Sequence, residues 1–306
     1  MRTNYIYKSF LLLALTGILS CKNNSKAPEQ VPAELKMVNV PSVISDPAQV
    51  NKYVADHFWD GVDFGDSLLM NNIPALNRHY SVYLNHIQQC PIEVAEQSVK
   101  KFTAAYLKGS KLVKNYLVDL TEKVLHDPNS QDRNEDIYIW VLEMFSADEN
   151  MDELLREKYK NQLTMSLKNR PGEIATDFSI LTSKGKQSRL HTTQGQYTLL
   201  FFYDPDCHSC DYALEYIKES SVIDSFSANI TKLAVYTGED AEKWLSTSGK
   251  FTQEWIVAFN NDYTIERDRL YDRRATPYIF LLDKNKRVLV KDATPADLEF
   301  YLKNFK

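Results

Sequence analysis

The chain has 306 residues, 43% hydrophobic, 12% aromatic and 25% charged, which suits a globular protein with room for two ordinary domains. Its net charge of −5 is mild and argues against a general nucleic-acid surface, which needs clustered Lys and Arg facing phosphates. Only 9 glycines are present, favouring substantial helix over a turn-rich all-β fold, and no apolar run is long enough to span a bilayer as a helix.

At the amino terminus, Arg2 and Lys8 precede the short apolar stretch "FLLLALTGIL", which ends in "SC". Positive residues, a short hydrophobic core and a small residue before the break describe an export signal over residues 1–20. The tetrapeptide "ILSC", Ile18 to Cys21, resembles a bacterial lipoprotein signal. That resemblance implies that Cys21 is lipidated and becomes the first mature residue; ordinary cleavage with Cys21 a bystander is the alternative. At about 0.8 kcal/mol per buried CH₂, one acyl chain anchors marginally and several hold firmly. The expected location is therefore the bacterial cell envelope, facing the periplasm. "KNNSK" after Cys21 lacks the acidic run associated with surface export in Bacteroidetes lipoproteins, which favours the inner side of the outer membrane. Outside the cytoplasm, thiol pairs persist as disulfides or in systems that manage them. With Cys21 assigned to lipid, Cys90, Cys207 and Cys210 remain, and a single bridge leaves one thiol over.

Residues 21–45 are polar and proline-bearing and read as a tether. From 46 to 169 the pattern is helical. "PIEVAEQSVKKFTAAYLKG" sets Val94, Val99, Phe102 and Tyr106 near one face, with Gly109 as its stop. "SKLVKNYLVDLTEKVLHD" continues with Leu112, Tyr116, Leu117, Leu120 and Val124. "NEDIYIWVLEMF" and "NMDELLREKYKNQL" complete five or six helices, and short connectors such as "DPNSQD" suggest an antiparallel bundle. The aspartates of "DHFWDGVDFGD" lack a calcium loop's alternate-residue spacing and terminal Glu, so caps and turns are expected there. Phe58, Trp59 and Phe64 are expected in the bundle core. Cys90 reads as a half-buried thiol at a helix end.

The rhythm changes at "RPGEIATDF", and residues 170–306 alternate strands and helices. "DFSILTSKGKQSRL" reads as a hairpin around Lys184–Gly185 and "YTLLFFYD" as a buried strand. His208 to about Glu219 is a helix. "ITKLAVYTG", "DAEKWLSTSG", "WIVAFNN" and "IERDRLYD" then read strand, helix, strand, helix. "YIFLLDKNKRVLVKD" is a hairpin turning at Lys284–Asn285, and "PADLEFYLKNF" a final helix. This pattern indicates an α/β domain with a mixed sheet flanked by helices, preceded by an all-α bundle.

"CHSC" stands where the buried strand hands over to a helix. Cys210, Ala213, Leu214 and Ile217 trace one helix face, so Cys210 opens the inward stripe and Cys207 lies partly exposed at the helix mouth. Such asymmetry suits an attacking thiol with a protected resolving partner. Thiolate is the nucleophile, and a helix amino terminus favours it by about 0.3–1 kcal/mol. His208 could add cationic character or simply face water.

With "LLFFYD", "CHSC" and "YDRRATPYIFLLD" in this order, residues 170–306 resemble the thioredoxin-like domain of TlpA- and ResA-type extracytoplasmic thiol–disulfide oxidoreductases. The resemblance implies a catalytic Cys207–Cys210 pair supported by His208. It also implies a cis Pro277 facing that pair, with Thr276 offering backbone groups to an extended substrate. The implied partners are disulfide-containing or dithiol proteins, together with a membrane or periplasmic dithiol donor. Three departures stand out. The buried acid that thioredoxins carry on the central strand falls on Phe201, and the acid that ResA-like proteins place beyond the second cysteine falls on Ala213. Asp206 occupies the place of the usual Trp and is expected to repel charge on Cys207. The helical half resembles amino-terminal domains of unassigned function in Bacteroidetes lipoproteins.

Other readings of the pair are weaker. A zinc site wants a second ligand pair, and His57, His79, His86, His126 and His191 lack that spacing. A peroxiredoxin needs a hydroxyl residue three positions before the reactive cysteine, where Asp204 stands. A structural disulfide across two residues closes little chain entropy. No dinucleotide fingerprint follows any strand, so no bound cofactor is expected. The reading is a lipid-anchored thiol–disulfide oxidoreductase, and its rival a lipoprotein that uses a thioredoxin-like half only to hold a partner.

Overall fold

In the computed structural model residues 35–304 are described, so Cys21 and the export segment lie outside the described residues. The helical half comprises α1 (Pro47–His57), a 3₁₀ turn (Ser67–Asn72), α2 (Ile73–Ile87), α3 (Ile92–Leu107), α4 (Lys111–Leu125), α5 (Glu135–Ala147) and α6 (Glu153–Ser166). Capping side chains set several of its starts: Asp46 accepts from Gln49 N–H, Asn134 from Ile137 N–H, and Asp152 from Leu154 and Leu155 N–H. The aromatics of "DHFWDGVDFGD" are core residues. Trp59 stacks on Phe102 with ring centroids 4.2 Å apart, and Phe58 and Phe64 are buried beside it. The aspartates act locally, Asp66 capping the 3₁₀ turn through Leu68 N–H and Asp60 pairing with Lys101 and His57.

Two sequence expectations shift here. On α4 the fully buried face is Val113, Leu117, Val118, Thr121 and Leu125, while Leu112 is exposed. Tyr116, Leu120 and Val124 are only partly buried against the core, because the apolar stripe is broad and the expected face was drawn one step off its centre. The segment expected to be a tether is docked before residue 45, since Leu35 and Val38 pack against the bundle.

The carboxy-terminal half is built from β1 (Ser179–Thr182), β2 (Gln187–Arg189), β3 (Tyr197–Tyr203), α7 (His208–Glu219), α8 (Ser221–Ser225), β4 (Ile230–Tyr236), α9 (Ala241–Thr247), β5 (Trp255–Phe259), α10 (Thr264–Arg267), β6 (Tyr278–Asp283), β7 (Val288–Val290) and α11 (Pro295–Lys303). Among the described residues the sheet order is β2-β1-β5-β4-β3-β6-β7. β3 runs parallel to β4, as β4 does to β5, while β6, β7 and the β1–β2 hairpin are antiparallel additions. β3 is central, and its run "TLLFFY" is buried on both faces. Leu199, Phe201 and Tyr203 join the cluster with Ala213 and Ile217 of α7, and Leu200 and Phe202 join the opposite cluster with Phe178 and Tyr271. That two-residue alternation puts Leu199, Phe201 and Tyr203 on the face covered by α7. "IERDRLYD" forms one short turn, α10, rather than a full helix, because the chain turns left-handed at Arg269 (φ 49°).

Candidate active site

The site begins where β3 leaves the sheet. A tight turn follows Tyr203, with Cys207 N–H donating to the Asp204 carbonyl at 3.1 Å and Asp206 N–H to the Asp204 carboxylate at 2.9 Å. Cys207 then occupies the position before the first residue of α7. Its backbone is extended (φ −84°, ψ 106°), and its sulfur accepts the Cys210 N–H at 3.1 Å, the role Ser or Asp plays at other helix starts. That sulfur thus sits at the amino-terminal end of α7 with a backbone N–H aimed at it.

The second sulfur sits differently. Cys210 is 1% exposed, in one apolar cluster with Phe201, Ala213 and Ile217, while Cys207 is partly exposed. Burial, reinforced by the neighbouring Cys207 sulfur, pushes the Cys210 thiol up to about 12. The Asp204 backbone and the Thr276 hydroxyl pull the other way. Both cysteines are free thiols in this structure.

Opposite α7 lies the loop before β6. The Thr276–Pro277 peptide is cis, and the Cys207 thiol donates to the Thr276 carbonyl at 3.3 Å. Thr276 thus meets both sulfurs, through its carbonyl and its hydroxyl. Of the residues singled out in the sequence, Cys207, Cys210, Thr276 and Pro277 come together. His208 does not join them: it is exposed on the first turn of α7, outside the hydrogen bonds around the sulfurs. Asp206 forms an ion pair with Lys243, which offsets its expected repulsion, and Asp211 pairs with Lys250 at 3.3 Å. Phe201 and Ala213, where an acid was sought, are buried and apolar.

Sequence reasoning missed the seam that joins this loop to the helical half. Arg274, two residues before Thr276, donates to the His126 carbonyl and lies 3.0 Å from His126 Nδ1. The same guanidinium pairs with Asp292 at 3.2 Å and Asp272 at 3.1 Å. Arg133 of the α4–α5 connection donates to the Asp292 carbonyl at 2.8 Å and pairs with its carboxylate at 3.1 Å. Lys291 pairs with Glu135 at 2.9 Å and donates to the Ser166 and Lys168 carbonyls. Burial, then Arg274, lowers His126 to about 4, so its ring is neutral and accepts the guanidinium N–H. Burial raises Asp292 to about 6 against the pull of the two arginines. The signal available beforehand was the doubled arginine of "DRRATP", but its partners lie far along the chain.

The remaining sequence candidates are engaged elsewhere. Cys90 is half-buried after α2, its sulfur 3.5 Å from the His86 carbonyl, with its proton held more tightly by burial and by Asp56. His86 and His191 contact main-chain carbonyls, at 3.0 and 2.7 Å.

A strand–CxxC–helix unit facing a Thr–cis-Pro loop on a central mixed sheet defines a thioredoxin-like protein. Over 90% of its length the chain resembles a thioredoxin-like protein from Bacteroides caccae, covering all of that chain at 30% identity with a TM-score of 0.85. It is 28% identical over 155 residues to the thiol-disulfide oxidoreductase ResA of Geobacillus kaustophilus, spanning 48% of this chain and 85% of that protein. Residues 19–169 match a family described as a domain of unknown function, DUF5106. The chain belongs to the thioredoxin-like family, its carboxy-terminal domain being of the TlpA/ResA type.

Proposed function

We propose that this protein is a membrane-anchored, extracytoplasmic thiol–disulfide oxidoreductase that acts on protein substrates through Cys207 and Cys210. The observation that supports it best is the asymmetry of the pair. One sulfur is partly exposed, receives a helix-end N–H and abuts the Thr276 carbonyl; the other is buried behind it with a tightly held proton.

In the reducing direction, Cys207 thiolate attacks a client disulfide. The client S–S bond breaks, a Cys207–client disulfide forms, and the departing client sulfur takes a proton. Cys210 then loses its proton and attacks Cys207 Sγ. This breaks the mixed disulfide, releases the second client sulfur as thiolate and leaves a Cys207–Cys210 disulfide. Two electrons have passed to the client, and a dithiol partner protein returns the pair to its reduced form. Run in reverse, the same steps oxidise a client dithiol. A tether of residues from Cys21, lipidated, would hold this chemistry at the envelope membrane.

Insulin reduction by the protein with dithiothreitol tests the reading. Cys207→Ser abolishes it, and Cys210→Ser accumulates a protein–client mixed disulfide. Rates unaffected by Cys207→Ser would leave a binding role instead. The reduction potential of the couple sets direction, near about −270 mV for a reductant and about −120 mV for an oxidant. Radiolabelled palmitate incorporation that survives Cys21→Ala would overturn the anchor.

A further inference from the structure

We propose that the helical half forms one wall of the client-binding cleft, and that the cleft takes an extended, cysteine-bearing segment with uncharged, apolar flanking residues. This rests on the oxidoreductase reading and adds a role for the half of the chain that the catalytic pair leaves unexplained.

A cleft of about 280 Å³ opens beside the Thr276–Pro277 loop. One wall is α7 immediately after Cys207, through Ser209 and Tyr212. The facing wall is the α4–α5 connection of the helical half, through Pro128, Asn129 and Arg133. A client segment that runs from Cys207 along this side of the Thr276–Pro277 loop would have its flanking residues between the two halves of the molecule. The volume lies just below the ~300–1,000 Å³ typical of small-ligand pockets, which suits flanking side chains rather than a folded domain.

The wall is held in place. Arg133 is bonded twice to Asp292, and Arg274 beneath the loop is bonded to His126 at the end of α4. Ser130 caps the Val124 carbonyl at 2.5 Å, and Asn134 N–H closes the connection on the Leu125 carbonyl at 3.2 Å.

The chemistry of the lining selects the occupant. Pro128, Pro277 and Pro295 contribute no N–H, and Tyr212 presents a ring that is 70% exposed. The charges around the cleft are matched: Arg133 and Arg274 share Asp292, and Arg274 also pairs with Asp272 just behind the lining. A charged flanking residue would meet no free counter-charge there and would lose water on entry. Thr276 has a second cleft on its far flank, of about 500 Å³, bounded by Asp204, Glu239, Glu266, Arg267 and Arg273. That cleft takes nothing from α7 or from the helical half, so the two sites are separable by experiment.

The test uses the full-length protein with Cys210→Ser, loaded with the disulfide dimer of a short cysteine peptide. The residue beside the peptide cysteine is benzoylphenylalanine, and after irradiation the adducts are mapped by mass spectrometry. Adducts within residues 128–133 of the helical half, together with Tyr212, are expected. Adducts confined to residues 204, 237–239 and 263–267, or absent from 128–133, overturn the proposal. A peptide with aspartates on both flanks should load about tenfold more slowly than one with valines, and equal rates would refute the apolar selection. Failure of any peptide disulfide to load onto Cys207 is a different result: it refutes the oxidoreductase reading itself, and this inference with it.

Discussion

Alkylation of the reduced protein tests the asymmetry on which the proposed chemistry depends. Raising a thiol from an ordinary value near 9 to about 12, as burial and the Cys207 sulfur do to Cys210, lowers its thiolate fraction about a thousandfold near neutral pH. The more basic thiolate is intrinsically more nucleophilic, and with a Brønsted slope of about 0.4–0.5 that returns roughly twentyfold. Cys210 should therefore react roughly fiftyfold more slowly than an ordinary thiol before any steric protection, and its 1% exposure adds more. A short pulse of iodoacetamide at pH 7.5, followed by acid quench and peptide mapping, reads both positions in one sample. Label is expected on Cys207 with little on Cys210. In Cys207→Ser the Cys210 rate should rise only modestly, because burial, the larger cause, remains. Equal labelling of the two positions, or faster labelling of Cys210, would refute the division into attacking and resolving thiols.

The seam between the halves predicts opposed pH dependences. His126, lowered to about 4 in the folded state, makes the unfolded chain bind more protons between about pH 4 and 6.5, so its contribution is lost as pH falls through that window. Asp292, raised to about 6, makes the folded chain bind more protons between about 3.8 and 6, so its contribution is present at low pH and lost as pH rises through 6. Each is worth at most about 3 kcal/mol, less for His126 because it is only partly buried. Asp292→Asn should thus steepen the fall of Tm on acidification from pH 6.5 to 4 relative to wild type, and His126→Asn should flatten or reverse it; parallel curves would contradict the seam. Gly109→Ala places a Cβ 2.5 Å from the Phe64 carbonyl oxygen, and overpacking of that kind costs about 1–3 kcal/mol, whereas Gly61→Ala, with open space around it, should leave Tm nearly unchanged in thermal unfolding. Thr276→Val keeps the carbonyl beside Cys207 but removes the hydroxyl that favours Cys210 thiolate; losing part of a bond worth about 1.5–3 kcal/mol should lengthen the life of the mixed disulfide about tenfold in quenched-flow trapping, with the first attack little changed.

Much of the architecture was legible because its signals are local. "TLLFFY" is continuous and apolar and becomes the doubly buried β3, and the helix expected from His208 to about Glu219 is α7. Gly185, at φ 77°, sits in the expected β1–β2 turn. The cysteine pair is equally local, since strand, turn and helix are contiguous, and only the Thr276–Pro277 loop arrives from afar. What pattern reading missed depends on contacts between distant residues. His126 and Arg274 are 148 positions apart, and each alone reads as an ordinary surface residue. "DPNSQD" reads as a mere connector because nothing in its composition reveals that it faces α7.

The absence of an acid at positions 201 and 213 bears on how the second step proceeds. Cys210 owes its tightly held proton to two causes that behave differently during the reaction. Burial persists throughout. In the proposed reaction the Cys207 sulfur, once bonded to a client, can no longer carry charge beside Cys210, so its contribution vanishes at the stage when Cys210 must ionise. The Thr276 hydroxyl and the Asp204 backbone continue to favour the thiolate, unopposed by a neighbouring anion. In the proposed reaction Cys210 would therefore be restrained while the pair waits and released by formation of the mixed disulfide, with the buried Phe201 and Ala213 keeping its surroundings dry. On this account, a cleft that holds the client in register matters as much as a base would. The second attack would then be limited by how long the mixed disulfide stays aligned over Cys210, which is the part proposed here for the wall that the helical half contributes to the cleft.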